Sequence, residues 1–187
     1  RNCNDFISQL EEATSLSDSE KKLLLAESRF IRAFHYFTMV KRYGGVPLIT
    51  EPQVYDPNNL EALMVPRDKE VDIYNFIVKE SQEAAQDLPE TRGADAKYRA
   101  NKYVALALCS RAALYAGSIA RYGTVQLDGL VGIPSSEADR FFQISYDASK
   151  AIINSGQYTL YNKKPDNKAQ NYCDMFLKGN GDNGEYI

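Results

Sequence analysis

Tryptophan is missing from this chain, histidine occurs once, and the three cysteines stand far apart at Cys3, Cys109 and Cys173. Each shortage removes a class of chemistry. With no C-x-x-C pair, the common zinc and redox motifs are excluded. A single histidine makes a nucleophile–base dyad depend on a Ser or Cys and an orienting acid brought in from elsewhere. His35 sits among Phe34, Tyr36 and Phe37, which points to a packed or half-exposed helix side chain. Cys109 lies in an Ala/Leu-rich stretch and reads as a small core residue. Spacing alone leaves a Cys3–Cys173 bridge open. No apolar run reaches the about 20 residues that cross a bilayer. A signal-peptide pattern is lacking, and the chain starts at Arg1, so we read it as a processed or trimmed product. A net charge of -3 excludes a broad nucleic-acid footprint.

What is present is globular. The 187 residues, 44% hydrophobic and 25% charged, suffice for one core of ordinary size. Tyrosine is abundant, at 13, and suits positions with one buried and one wet end. The apolar residues recur in steps of three and four, which predicts helices. Asn4 to Ala13 reads as a short helix, with Phe6, Ile7 and Leu10 on one side. From about Asp18 to Tyr43 runs a long one, with Leu23, Ala26, Phe30, Ala33, Phe34, Phe37 and Val40 on one face. Ser17 or Asp18 caps its start, Gly44 and Gly45 end it, and Pro47 prevents its resumption.

Pro52 to Pro66 is a loop with a helical turn near Leu60 to Met64. A third helix, about Asp68 to Leu88, carries Val71, Ile73 or Tyr74, Ile77, Ala84 and Leu88, and Pro89 closes it. Asn101 caps a fourth, to about Ala120, with a stripe of Ala105, Leu108, Ala112 and Tyr115. Gly117 to Ser136 breaks the pattern as a long loop, with or without a short hairpin. A fifth helix, about Ala138 to Asn154, shows Phe142, Tyr146, Ala148 or Ser149, and Ile152 or Ile153; Gly156 ends it. Asn171 to Leu177 reads as a short sixth helix, followed by a tight GNGDNG loop and a strand beginning at Glu185. One-striped helices in antiparallel succession predict an all-α array of hairpins. Leu108, Ala112 and Tyr115, then Ala148 and Ile152, fit a degenerate tetratricopeptide-like repeat once the long insertion is skipped.

The long helix also carries a family resemblance. Ala-Glu-x-Arg-Phe-x-Arg-Ala-Phe-x-Tyr-Phe, then Val-Lys-Arg-Tyr-Gly-Gly-Val-Pro-Leu-Ile-Thr-Glu, resembles the signature helix of the SusD/RagB family. Further segments resemble that family in the same order: Pro66 to Pro89, Arg99 to Tyr115, Phe142 to Leu160, and Glu185-Tyr186-Ile187. The resemblance implies a mostly helical, SusD-like superhelix of tetratricopeptide-like pairs over residues 1–187. It implies the N-terminal helical part of a protein about twice as long, whose second half supplies much of the ligand site. It further implies a surface lipoprotein of the outer membrane, anchored through a lipidated cysteine upstream of residue 1. Such a protein captures nutrients, usually glycans, for a SusC-like TonB-dependent transporter, with no enzymatic step, cofactor or metal.

The candidate residues follow from what a sugar site wants: an aromatic face for C–H groups, with amides, acids and arginines for hydroxyls. Tyr55, Asp56, Asn58 and Asn59 stand together after the signature helix, in a region that contributes to the ligand-facing surface of the resembled family. A turn held by Pro57 and the Asx side chains is the competing account. Arg121 and Tyr122, at the opening of the long loop, are the second candidate. Without Trp, any stacking falls to Tyr. Glu51, Asp56, Glu61 and Asp68 offer carboxylates of the kind glycoside hydrolysis pairs, against the simpler reading of solvated loop acids. Gly179-x-Gly181-x-x-Gly184 matches a dinucleotide pattern without the strand and helix it needs. A helical scaffold that binds only a protein partner is the alternative function.

Overall fold

The computed structural model describes residues 2–177. They form six α-helices: α1 (Asn2–Glu12), α2 (Asp18–Tyr43), α3 (Glu70–Asp87), α4 (Lys102–Tyr122), α5 (Ala138–Asn154) and α6 (Lys168–Leu177). Short 3-10 turns occupy Leu60–Leu63, Ala94–Ala96, Leu127–Gly129 and Ser135–Glu137. The GNGDNG loop and the strand expected at Glu185 lie outside the described residues.

Side-chain pairs establish the antiparallel order. Across α2 and α3, Arg29 meets Glu83, Arg32 meets Glu80 and Tyr36 meets Phe76, so one number rises as the other falls. Across α4 and α5 the same holds for Ser110 with Ser149 and Arg121 with Asp139. Phe37 against Tyr115, at 5.5 Å between ring centres, brings α2 beside α4. The result is the expected all-α array of helix hairpins. Its main core joins Phe37 and Val40 of α2, Ile73, Tyr74 and Ile77 of α3, Cys109 and Ala112 of α4, and Phe141 of α5. Each large side chain so buried is worth about 1.5–3 kcal/mol.

Local chemistry explains the boundaries. Ser17 caps α2 with a reciprocal box: Glu20 N–H donates to Ser17 Oγ, and Ser17 N–H donates to Glu20 Oε2 at 2.9 Å. Its hydrogen bonds with Ser17 hold the Glu20 carboxyl below the ordinary value. Gly44 ends α2 at φ +69°, a left-handed region that favours glycine. Gly45 is a different case. A Cβ there would lie 1.9 Å from the Asp68 carbonyl oxygen, because the chain before α3 runs directly over it. Gly45 N–H donates to Leu130 O at 2.7 Å, and Arg67 Nε donates to Gly45 O at 2.8 Å. The Gly-Gly pair of the signature is thus a joint where three backbone segments meet.

Four expectations are corrected. Phe34 is 51% exposed and Tyr36 is buried, while Ala26, Ala33, Phe37 and Val40 of the expected stripe face the core. On α5, Phe141 is buried and Tyr146 is exposed. The cause is a seam of small residues: Ser110 Oγ sits 2.7 Å from Ser149 Oγ and 3.2 Å from Ser145 Oγ, drawing α5 close to α4. Gly117 does not start a loop. The ring of Phe142 lies where its Cβ would be, at 2.8 Å, so the glycine is a close-packing site and α4 continues to Tyr122. Finally, α4 is by length and composition long and apolar enough to cross a membrane, although half of that window is buried in the core.

Candidate functional site

The segment after Gly45 leaves the helices as an extended chain without a strand partner, so side chains must satisfy its backbone. Asn4 of α1 is buried and donates from Nδ2 to Ile49 O at 2.8 Å and Glu51 O at 3.2 Å. Tyr36 accepts from Ile49 N–H at 2.8 Å through its hydroxyl. Asp68 accepts from Leu48 N–H at 2.8 Å. Arg32 ties the assembly together. It donates to Glu80 through Nε at 2.8 Å and through Nη1 to Asn4 Oδ1 at 3.1 Å and Thr50 O at 3.3 Å. Burial pushes the Glu80 carboxyl up, against the pull of Arg32, and burial is also the larger influence raising Tyr36.

This frame holds open a cavity of about 960 Å³ between α1, α2 and the extended segment. Tyr55 and Leu63 stand on its loop side, His35 and Met39 on α2, and Glu51 and Gln53 on the segment itself. Tyr55 is 69% exposed, which leaves a phenol face free for an incoming ring. The arrangement supplies the exposed phenol face of Tyr55, apolar patches, amides, an imidazole and a carboxylate, beside the Arg32 guanidinium that is paired with Glu80. That is binding chemistry. Hydrolysis of a glycoside uses two carboxyl groups across one bond, and Glu51 is the one carboxylate among the described lining residues.

Of the residues expected to bind a sugar, Tyr55 lines this cavity and Asp56, Asn58, Asn59, Arg121 and Tyr122 do not; of the four acids weighed for hydrolysis, Glu51 lines it. Asp56 forms an Asx turn, accepting from Asn58 N–H at 2.8 Å through Oδ1 and from Asn59 N–H at 3.1 Å through its carbonyl. Asn58 and Asn59 are exposed beside it. Arg121 and Tyr122 are the last turn of α4, not the mouth of a loop; Arg121 pairs with Asp139, and Tyr122 is 84% exposed. The loop that follows is pinned down, with an antiparallel bridge between Gln126 and Val131 and a hydrogen bond from Gly132 N–H to Glu70 at 2.5 Å. Burial raises the Glu70 carboxyl despite that bond. His35 and Gln53 were not expected at the site. His35 is one turn from Met39 on α2, and only the path of the segment after Gly45 turns that face into a cavity wall. The three cysteines are free: Cys3 half-buried, Cys109 buried and Cys173 exposed.

A family model described as starch-binding and associating with the outer membrane matches residues 1–114. The chain belongs to this SusD-like family. A SusD-like protein from Bacteroides ovatus is 33% identical over 89 residues, 46% of this chain and 16% of that protein. The crystal structure of a SusD-like protein from Bacteroides fragilis is similar over 100% of this chain and 30% of its own length, at 29% identity and a TM-score of 0.70. A SusD superfamily protein from Parabacteroides distasonis is similar over 86% of this chain and 30% of its own, at 28% identity and a TM-score of 0.66. This SusD-like chain therefore spans about a third or less of the length of the relatives it matches.

Proposed function

We propose that the chain is the helical part, residues 1–187, of a surface protein that captures an oligosaccharide and hands it to a SusC-like TonB-dependent transporter. The observation that carries the reading is the cavity of about 960 Å³ with the exposed Tyr55 ring at its rim. The family description, starch-binding and associating with the outer membrane, supports both the ligand class and the location. Tyr55 would take the C–H face of a sugar ring, which an already planar side chain does at low entropic cost. Gln53, Glu51 and His35 would meet its hydroxyls. Asn58 and Asn59 would flank Tyr55 through the Asp56 turn, and Arg121 with Tyr122 would serve a separate, secondary contact. Capture is reversible and involves no covalent step, so the gain for transport is a raised local ligand concentration at the membrane. A lipid anchor upstream of residue 1 would hold the protein there.

Isothermal titration with maltohexaose tests the ligand. Binding that weakens about tenfold in Tyr55→Ala, with an unchanged melting curve, is the expected result. Absence of saccharide binding, or binding indifferent to Tyr55, would overturn the site and favour a helical scaffold for a protein partner.

A further inference from the structure

A second cavity, of about 560 Å³, lies where the α3–α4 connection faces the segment after α5, and it shares no lining residue with the first. Its volume falls in the range of small-molecule sites, about 300–1,000 Å³. Phe30 and Val104 give it apolar walls. Tyr98 is 94% exposed, the highest value among the large exposed apolar and aromatic side chains, and Tyr158 lines the same cavity from the later segment. Tyr158 is held in place by Asn101 Nδ2–H, which donates to its hydroxyl at 3.3 Å, and by an edge-to-face contact with Tyr103 at 5.4 Å. Gln157 adds an exposed amide.

The charge of this cavity separates it from the first. Arg92 and Arg99 share one buried carboxylate, Glu27, one on each oxygen. Arg92 is consumed there and at Ala100 O, to which its Nε donates at 2.8 Å. Arg99 keeps a half-exposed guanidinium edge. Lys102 pairs with Glu90 at 2.9 Å, so those two cancel. Lys97 has no salt bridge among the described residues, and its ammonium lies 5.7 Å from the Tyr98 ring centre. One guanidinium charge and one ammonium therefore remain uncompensated beside two tyrosines, on a chain whose net charge is -3.

We propose that this cavity binds a carboxylate-bearing sugar unit, a uronate, of a glycan chain. The tyrosine faces suit the C–H side of a pyranose ring, and a planar guanidinium edge with a nearby ammonium suits its carboxylate. A neutral sugar would leave both cations unused, while an inorganic anion would leave the aromatic walls unused. The site stands apart from the Tyr55 cavity, so a chain that fails to bind neutral glucan there can still bind a uronate here.

The test titrates the full chain with trigalacturonate and, in parallel, with maltotriose, at low salt and at about 0.5 M sodium chloride. Arg99 is left intact, because it also pairs with the buried Glu27 and its loss would change a structural contact along with the site. The fold-safe variants are Lys97→Gln and Tyr98→Ala, both exposed. Trigalacturonate is expected to bind better than maltotriose, to lose affinity in high salt, and to weaken about fivefold in each variant while Tyr55→Ala leaves it unchanged. The proposal is overturned by no trigalacturonate binding, by equal affinity for both trisaccharides, by indifference to Lys97 and Tyr98, or by loss in Tyr55→Ala. Maltohexaose binding at Tyr55 is read separately, so either site can fail without the other.

Discussion

Arg32→Met removes a charge that four separate groups depend on, and its cost follows from burial. The Arg32 and Glu80 side chains are only 11% and 5% exposed, with Nη2 to Oε2 at 2.7 Å. Taking away the guanidinium leaves a buried carboxylate without its ion-pair partner, a loss of about 3–5 kcal/mol. Asn4 Oδ1 and Thr50 O lose a donor as well, but these groups form one network and their costs do not add. Against a domain stability of about 5–15 kcal/mol, the loss is about a fifth or more. Methionine restores part of the contact of the arginine stem with Phe76, over whose ring the guanidinium carbon sits at 5.4 Å.

The pH dependence has a definite sign. Burial already raises the Glu80 carboxyl in the folded state, and losing Arg32 raises it further. The folded protein then binds a proton more tightly than the unfolded chain, so stability falls as pH rises from the ordinary glutamate value through the raised one. Urea denaturation followed by far-UV circular dichroism should show a smaller Arg32→Met penalty at about pH 5 than at about pH 8. The double variant Arg32→Met/Glu80→Met removes both charges and should recover most of the loss. A single-variant cost under about 1 kcal/mol, or a double variant as costly as the sum of its parts, would refute the buried-pair argument.

Gly45→Ala should cost about 3 kcal/mol or more, since the added carbon meets the Asp68 carbonyl and no flexible side chain can yield. Gly93→Ala, with nothing within 4 Å, should stay within about 0.5 kcal/mol; equal melting temperatures for the two would falsify the joint. Thiol labelling of the native chain should modify Cys173 quickly and Cys109 only after unfolding, because burial pushes the Cys109 thiol up to about 12 and closes it to reagent. Native labelling of Cys109 at the rate of Cys173 would contradict the packing of α4.

Periodicity does not account for the string Arg-Tyr-Gly-Gly-Val-Pro at the end of α2, and the fold gives it a cause. Gly44 turns the chain, Gly45 admits the Asp68 backbone, and Pro47 stops any further helix. Periodicity, caps and breakers are local properties. They therefore determined on their own the existence and order of the helices, the start of α2 at Ser17 or Asp18, the end of α5 and the array of hairpins; the structure places the cap at Ser17. Tertiary packing decided single positions within those faces, as with Tyr36 buried and Phe34 exposed on α2, and Phe141 buried more deeply than Phe142 on α5. Helix contacts at serines and glycines depend on the partner helix, which no single segment specifies. The same holds for the cavities. Tyr55 was legible as an aromatic in a polar loop, while His35 and Gln53 joined it only because Asn4, Arg32 and Tyr36 fix the path of an extended segment across three helices. Only the fold brings Arg92 and Arg99 onto Glu27, a glutamate distant in the chain, and sets Lys97 in the same cavity without a salt bridge among the described residues.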